Sequence, residues 1–135
     1  MRPFKHILCP VDFSDFSRRA VRVARGLGKD FEAQVHLFHV LDIRAFSPAE
    51  AALAPKIDAA NRRRVEEQMA RLAREEGLSP DHVEIAEGLP HKAIVLKAQE
   101  SPADLVVMGT HGISGFERLL LGSVTEKVLD RKSVV

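Results

Sequence analysis

Short apolar runs alternate along this chain with longer stretches in which apolar residues recur every three or four positions. The runs HILCPV (6–11), QVHLFHVL (34–41), HVEIA (82–86) and DLVVM (104–108) are rich in β-branched and apolar residues and bounded by Asp, Gly or Pro, which predicts strands. Between them Ala20, Val21, Ala24 and Leu27 keep helical spacing, as do Val65, Met69, Leu72 and Ala73, and Ala93, Ile94, Lys97 and Ala98 after Pro90. The predicted order is β-α-β-α-β-α-β-α. Parallel neighbours need a connection long enough for a helix, so this alternation predicts an α/β fold with a mostly parallel sheet covered on both faces. The first, second and fourth runs are nearly continuous in apolar residues, as strands buried on both sides must be. In the third, Glu84 separates Val83 from Ile85, which places that strand at an edge.

The connection from 42 to 61 contains Pro48 and Pro55 and is expected to be a loop followed by a broken or late-starting helix. GLG at 26–28 follows a helical stretch and reads as its C-terminal cap, so it does not serve as a dinucleotide fingerprint. Arg62, Arg63 and Arg64 read as the solvated face of the second helix rather than a dedicated anion site.

Composition narrows the function. The 135 residues, 45% of them hydrophobic, are enough for one core, and the expectation is a single domain over 1–135. A net charge of +1, with 29% of residues charged, lacks the basic bias that phosphate-backbone binding favours. Seven Phe with no Trp or Tyr leave few stacking platforms for single-stranded bases, so nucleic acid is not an expected partner. No apolar run reaches the roughly 20 residues of a membrane span, and MRPFKHILCPVDFS lacks a secretion signal's long apolar stretch. One cysteine, Cys9, has no intrachain partner and reads as a small buried strand residue. The expectation is a soluble cytoplasmic protein without membrane contact.

In such a sheet, ligands collect beyond the carboxyl ends of the strands where strand order reverses, which singles out Pro10–Ser14, Leu41–Arg44, Gly88–Pro90 and the chain from Gly109 onward. Gly109 and Gly112 flank a Thr-His pair as the chain leaves the sheet; glycine there permits positive φ and close approach of a ligand to the backbone. Gly122 precedes SVTE, a Ser-x-x-Glu capping box that would open a helix at Ser123 and aim the amides of Val124 and Thr125 at the loop after strand 4. Two sets of backbone donors would then converge in a nest for a phosphate chain. The same spacing admits one long helix from about Ser114 to Arg131, with Phe116, Leu120, Val124 and Val128 as its core stripe and Gly122 tolerated at roughly 1 kcal/mol.

Gly109, two residues, Gly112, nine residues, Gly122 and Ser123 reproduce the Gly-x2-Gly-x9-Gly-(Ser/Thr) signature of nucleotide-binding universal stress proteins. GSVTEKVL resembles that family closely, and HILCPVDFSDFSRRAV is similar to its opening strand, Pro-x-Asp turn and first helix. The resemblance runs from residue 4 to about 131 and implies an open, doubly wound, Rossmann-like sheet of four to five strands with helices on both faces. It also implies a site for ATP, ADP or AMP. By this resemblance Asp12 holds the ribose or adenosine end, against the alternative of a helix N-cap competing with Ser14. Pro10 and Val11 would line the nucleoside pocket, and Val40 and Met108 would lie near adenine, though both are also ordinary core residues. Gly109, Gly112, Gly122, Ser123, Val124 and Thr125 would surround the phosphates, with Ser123 alternatively a cap. His111 lies beside them as a contact or surface residue; no paired carboxylate and nucleophile would make it a general base.

Gly122-Ser123 lacks the lysine of a Walker phosphate loop, which disfavours fast phosphoryl transfer. The six histidines lack the close spacing of a structural metal site, so no protein-ligated metal is expected; Mg2+ or Mn2+ held mainly by phosphate oxygens fits better. The reading is therefore a stress-response protein that senses or buffers adenine nucleotide with little or no turnover. Its competitors are a slow ATP hydrolase or adenylyl-transferring enzyme, with His111, Arg118 and Lys127 as its available charges, and a nucleotide-free dimeric interaction module. Family members end in a fifth strand that pairs across a two-fold axis. DRKSVV offers only Ser133–Val135 toward that strand, so the homodimer is implied by resemblance and weakened by sequence.

Overall fold

The computed structural model describes residues 5–42, 54–100 and 103–109. Strand β1 (His6–Pro10) leads into helix α1 (Asp15–Phe31), then β2 (Gln34–Asp42), α2 (Ala54–Glu75), β3 (Val83–Gly88), α3 (Pro90–Glu100) and β4 (Leu105–Val106), with a 3-10 turn at Pro80–His82 before β3. The four strands are all parallel, in the order β3-β2-β1-β4. This is the doubly wound α/β arrangement that the apolar pattern predicts. Strand β3 stands at the edge where Glu84 places it, half-buried throughout its apolar positions.

Side chains alternate across the sheet and divide the interior in two. On one face Ile7, Cys9, Val35, Leu37, Leu41, Leu105 and Val107 pack against Ala20, Val21 and Ala24 of α1 and Val65, Met69, Leu72 and Ala73 of α2. On the other, Leu8, Phe38, Val106 and Met108 meet Ile94 and Ala98 of α3. The three helical stripes read from spacing therefore point inward. Cys9 is fully buried within β1, and burial pushes its thiol up to about 12.

Pro55 falls in the first turn of α2, where a missing N–H costs no helical bond, so the late-starting helix is found; residues 43–53 lie outside the described residues. Pro90 likewise opens α3, directly after Leu89 and the left-handed-side Gly88 (φ 149°). Arg62 pairs with Glu66 one turn along α2 at 3.4 Å and reaches Glu87 and the Ile85 carbonyl of β3 at 3.3 and 3.2 Å, so it ties the helix to the edge strand. At the far end of α2, Glu76 receives Arg22 and Arg25 of α1 at 3.5 and 3.0 Å.

GLG is not a cap. Helix α1 continues through it to Phe31 and is closed by Glu32 in the left-handed region (φ 56°), whose N–H bonds the Gly28 carbonyl. What Gly28 answers is packing: a Cβ there would stand 2.8 Å from Val35 Cγ2 and 2.9 Å from the Ala33 carbonyl oxygen, whereas at exposed Gly26 a Cβ would meet nothing within 4 Å. The same substitution two residues apart should thus act with opposite sign. Gly26→Ala should stabilise by about 0.5–1 kcal/mol through helix propensity, and Gly28→Ala should destabilise by about 1–3 kcal/mol through overpacking, read as melting temperatures above and below the parent.

Candidate functional site

Strand order reverses beside β1: the chain leaves β1 for β2 on one side and returns to place β4 on the other. The carboxyl ends of β1 and β4 therefore open onto a common crevice, and the turn after β1 is built tightly there. Pro10 is the last paired residue of β1, opposite Phe38, and the next amide, of Val11, donates to the Phe38 carbonyl at 2.8 Å. Asp12 follows, half-buried, and its Oδ1 accepts the Ser14 amide at 2.9 Å and the Ser14 hydroxyl. Ser14 is the N-cap of α1: its Oγ accepts the Ser17 amide at 3.1 Å, while the Ser17 hydroxyl donates to the Ser14 carbonyl at 3.0 Å and accepts the Asp12 amide at 3.3 Å. Asp12 is thus not the cap but its support, two residues upstream. One carboxylate oxygen is committed to the cap, which orients the carboxylate at the mouth of the sheet.

Between them Phe13 takes a positive φ of 66°, a conformation that a bulky side chain adopts only when its surroundings hold it. The holding group is His39 of β2. Its ring lies 4.9 Å from the Phe13 ring, and its Nδ1–H donates to the Val11 carbonyl at 2.6 Å. That bond fixes the tautomer, with the proton on Nδ1. His39 carries no motif and is absent from the site read from the sequence; its only signal is a polar residue within the apolar run of β2.

Gly109 closes the crevice from the β4 side. A Cβ there would stand 3.0 Å from the backbone carbon and Cβ of Phe16 in the first turn of α1, and 3.1 Å from its carbonyl oxygen. The positive φ that glycine permits is not used here, since its φ is outside the left-handed region; close approach of α1 is what demands glycine. Met108 is 7% exposed in the α3-side core, with half-buried Val40 packed against the same cluster. The Val11 side chain is buried on the opposite face, in the core with α1 and α2. Pro10, Val11, Asp12, Val40, Met108 and Gly109 are thus described; His111, Gly112, Gly122, Ser123, Val124 and Thr125 lie outside the described residues, as does the choice between a phosphate nest and one long final helix. Arg118, Lys127 and Ser133–Val135 lie outside them too.

The Asp12 carboxylate is thus held by the cap of α1, and Gly109 is the glycine against which the same helix packs. The universal stress protein family model matches residues 3–134. The chain belongs to the universal stress protein family. It is 38% identical over 130 residues to universal stress protein MJ0531 of Methanocaldococcus jannaschii, covering 93% of this chain and 76% of that protein. The solved structure of MJ0577 from the same organism superposes with a TM-score of 0.82 at 28% identity, covering 98% of this chain and 94% of that one. A universal stress protein solved in complex with cAMP matches with a TM-score of 0.60 at 26% identity, over 98% and 94% of the two chains.

Burial lowers the His39 pKa from its ordinary 6.5, opposed by the Val11 carbonyl and by Asp12. Between 6.5 and the lowered folded value the unfolded chain holds more protons than this universal stress protein does when folded, so stability is complete above that window and falls as pH drops through it. His36, also lowered, adds a loss of the same sign. Denaturant titrations between about pH 7.5 and about pH 5 should show this decline, and His39→Gln should flatten part of it.

Proposed function

We propose that this universal stress protein binds an adenine nucleotide, ATP or its di- or monophosphate, at the mouth of β1 and β4, and works in stress response as a nucleotide sensor or buffer with little turnover. The single observation that carries the reading is the Asp12 turn: a carboxylate locked by Ser14, at the reversal of strand order, beside the close-packed Gly109. In this reading Asp12 takes the ribose hydroxyls with the carboxylate oxygen left over from capping, Pro10, Val40 and Met108 form the apolar surroundings of the nucleoside, and Val11 backs the turn from the opposite core. Gly109, Gly112, Gly122 and Ser123, with His111, Val124 and Thr125, surround the phosphates, where glycine lets main-chain N–H groups approach an anion. The relative solved with cAMP supports the adenine-nucleotide class.

A magnesium or manganese ion belongs to the same reading, carried on phosphate oxygens, since such ions need few protein ligands. Among the described residues no group of three His, Cys, Asp or Glu side chains is placed to cage one. The absence of a Walker lysine after Gly122 argues for binding over fast phosphoryl transfer. A homodimer and a cytoplasmic location complete the proposal.

Ligand binding at about 100 times the dissociation constant should add roughly 2.7 kcal/mol to stability, so ATP should raise the melting temperature. Mass spectrometry of the denatured protein identifies any nucleotide that co-purifies. Asp12→Asn keeps the oxygen that accepts from Ser14 while removing the charge; it should retain the parent melting temperature and weaken ATP by about tenfold or more, a loss of roughly 1.4 kcal/mol. Gly112→Val and Gly122→Val should abolish the ATP-induced shift by filling the space of the phosphates. An undiminished shift in all three variants would refute the placement.

A further inference from the structure

Three of the six histidines, remote in sequence, meet at the other end of the sheet. His6 opens β1 and His36 is the third residue of β2; the strands pair in parallel with His6 opposite Gln34 and Leu8 opposite His36, so both imidazoles stand on the α3 side. His6 Nδ1 and His36 Nε2 face each other at 3.4 Å. His82, last residue of the 3-10 turn before β3, brings a third ring to 5.1 Å from that of His36, and its Nε2 is held at 2.6 Å by the side-chain amide of Gln34. The rings border a cleft of about 310 Å³, which Asp81, Glu84 and Lys97 also line. Lys97 of α3 is closed onto Glu84 of β3 at 2.6 Å, so its ammonium is neutralised and the facing nitrogens of His6 and His36 are the donors that the cleft offers.

The separation of 3.4 Å between the two ring nitrogens is long for an N–H···N bond. It matches the bite of a chelated metal: two nitrogens each roughly 2.0–2.1 Å from a tetrahedral ion stand about 3.3–3.4 Å apart. Among the described residues no three His, Cys, Asp or Glu side chains already surround one point, so the pair is the anchor and the rest of the shell must come from elsewhere. His82, with its ring 5.1 Å from that of His36, is the adjacent imidazole; to join the pair it would have to exchange its bond to Gln34 for the metal, and the cleft leaves room for water to complete the shell.

We propose that this cleft binds one divalent transition-metal ion, seated on Nδ1 of His6 and Nε2 of His36 and joined by His82. Imidazole donors favour zinc, nickel and copper; magnesium and calcium prefer shells of oxygen and are not expected to bind. The site lies at the amino ends of the strands, whereas the Asp12 turn lies at the carboxyl ends, so it does not depend on nucleotide. Bound metal would bridge β1, β2 and the turn before β3, adding to the backbone pairing of β1 with β2 and to the bond between Gln34 and His82.

The test is equilibrium dialysis of the full chain, freed of nucleotide and chelated beforehand, against Zn2+ and separately Ni2+, with bound metal counted by mass spectrometry. About one ion per chain is expected, with His6→Gln and His36→Gln each weakening binding by about tenfold or more, His82→Gln by less, and His91→Gln not at all. Co2+ should give the visible absorption of a tetrahedral site in the parent and lose it in His36→Gln. Imidazole NMR of the parent chain during Zn2+ titration keeps the test independent of how the variants fold: His6 and His36 must be the rings that shift. Failure of the parent to retain Zn2+ or Ni2+, shifts confined to His91 or His111, or unchanged binding in the folded double variant His6→Gln/His36→Gln would each overturn the proposal.

Discussion

Parallel pairing is the constraint from which the rest follows. A strand cannot run parallel to its predecessor without the chain first returning across the sheet, and each return here is a helix that must bury one stripe. Because β1 lies inside the sheet, between β2 and β4, its side chains need cover on both faces, and α1 and α2 supply one while α3 supplies the other. The reversal at β1 is a by-product of that covering. It leaves a crevice at the carboxyl ends that no crossover fills, and the turn after β1 has no choice but to border it.

What borders the crevice is stabilised by several modest bonds acting together. Asp12, Ser14 and Ser17 satisfy one another around the start of α1, while His39 reaches from the neighbouring strand to hold the Val11 carbonyl and back the unusual backbone of Phe13. A carboxylate used half for structure and half free can be presented to a ligand in one orientation, with the ordering cost met during folding rather than at binding. The same economy appears at Gly109, where intimate contact with α1 fixes the spacing of the two walls.

The parts of this structure written in local pattern were legible from the amino acids. Inward stripes on α1, α2 and α3, the edge position of β3 from Glu84, and the delayed start of α2 from Pro55 all follow from periodicity or from proline's missing donor. The ladder of β4 proved shorter than its apolar run, though the amide of Val107 still donates to the Leu8 carbonyl at 2.9 Å. Features set by tertiary approach were misread or missed. Gly28 and Gly109 are small because another segment comes close, a reason that composition cannot distinguish from capping or positive φ. Glu32 closes α1 in a conformation usually left to glycine, so the residue to look for was not there. Of the candidate site, the Asp12 turn was legible because a short motif sits directly after a strand. His39, and the meeting of His6, His36 and His82, were not, since a parallel register brings together residues that no spacing rule connects.

The buried thiol in the middle of β1 has a consequence for a protein of this family. Peroxides and electrophiles attack the thiolate, and a sulfur whose proton is retained to about pH 12 within a closed interior offers them almost none. Redox chemistry therefore reaches Cys9 only after the sheet has opened. The folded protein passes through oxidising conditions with its one thiol chemically silent.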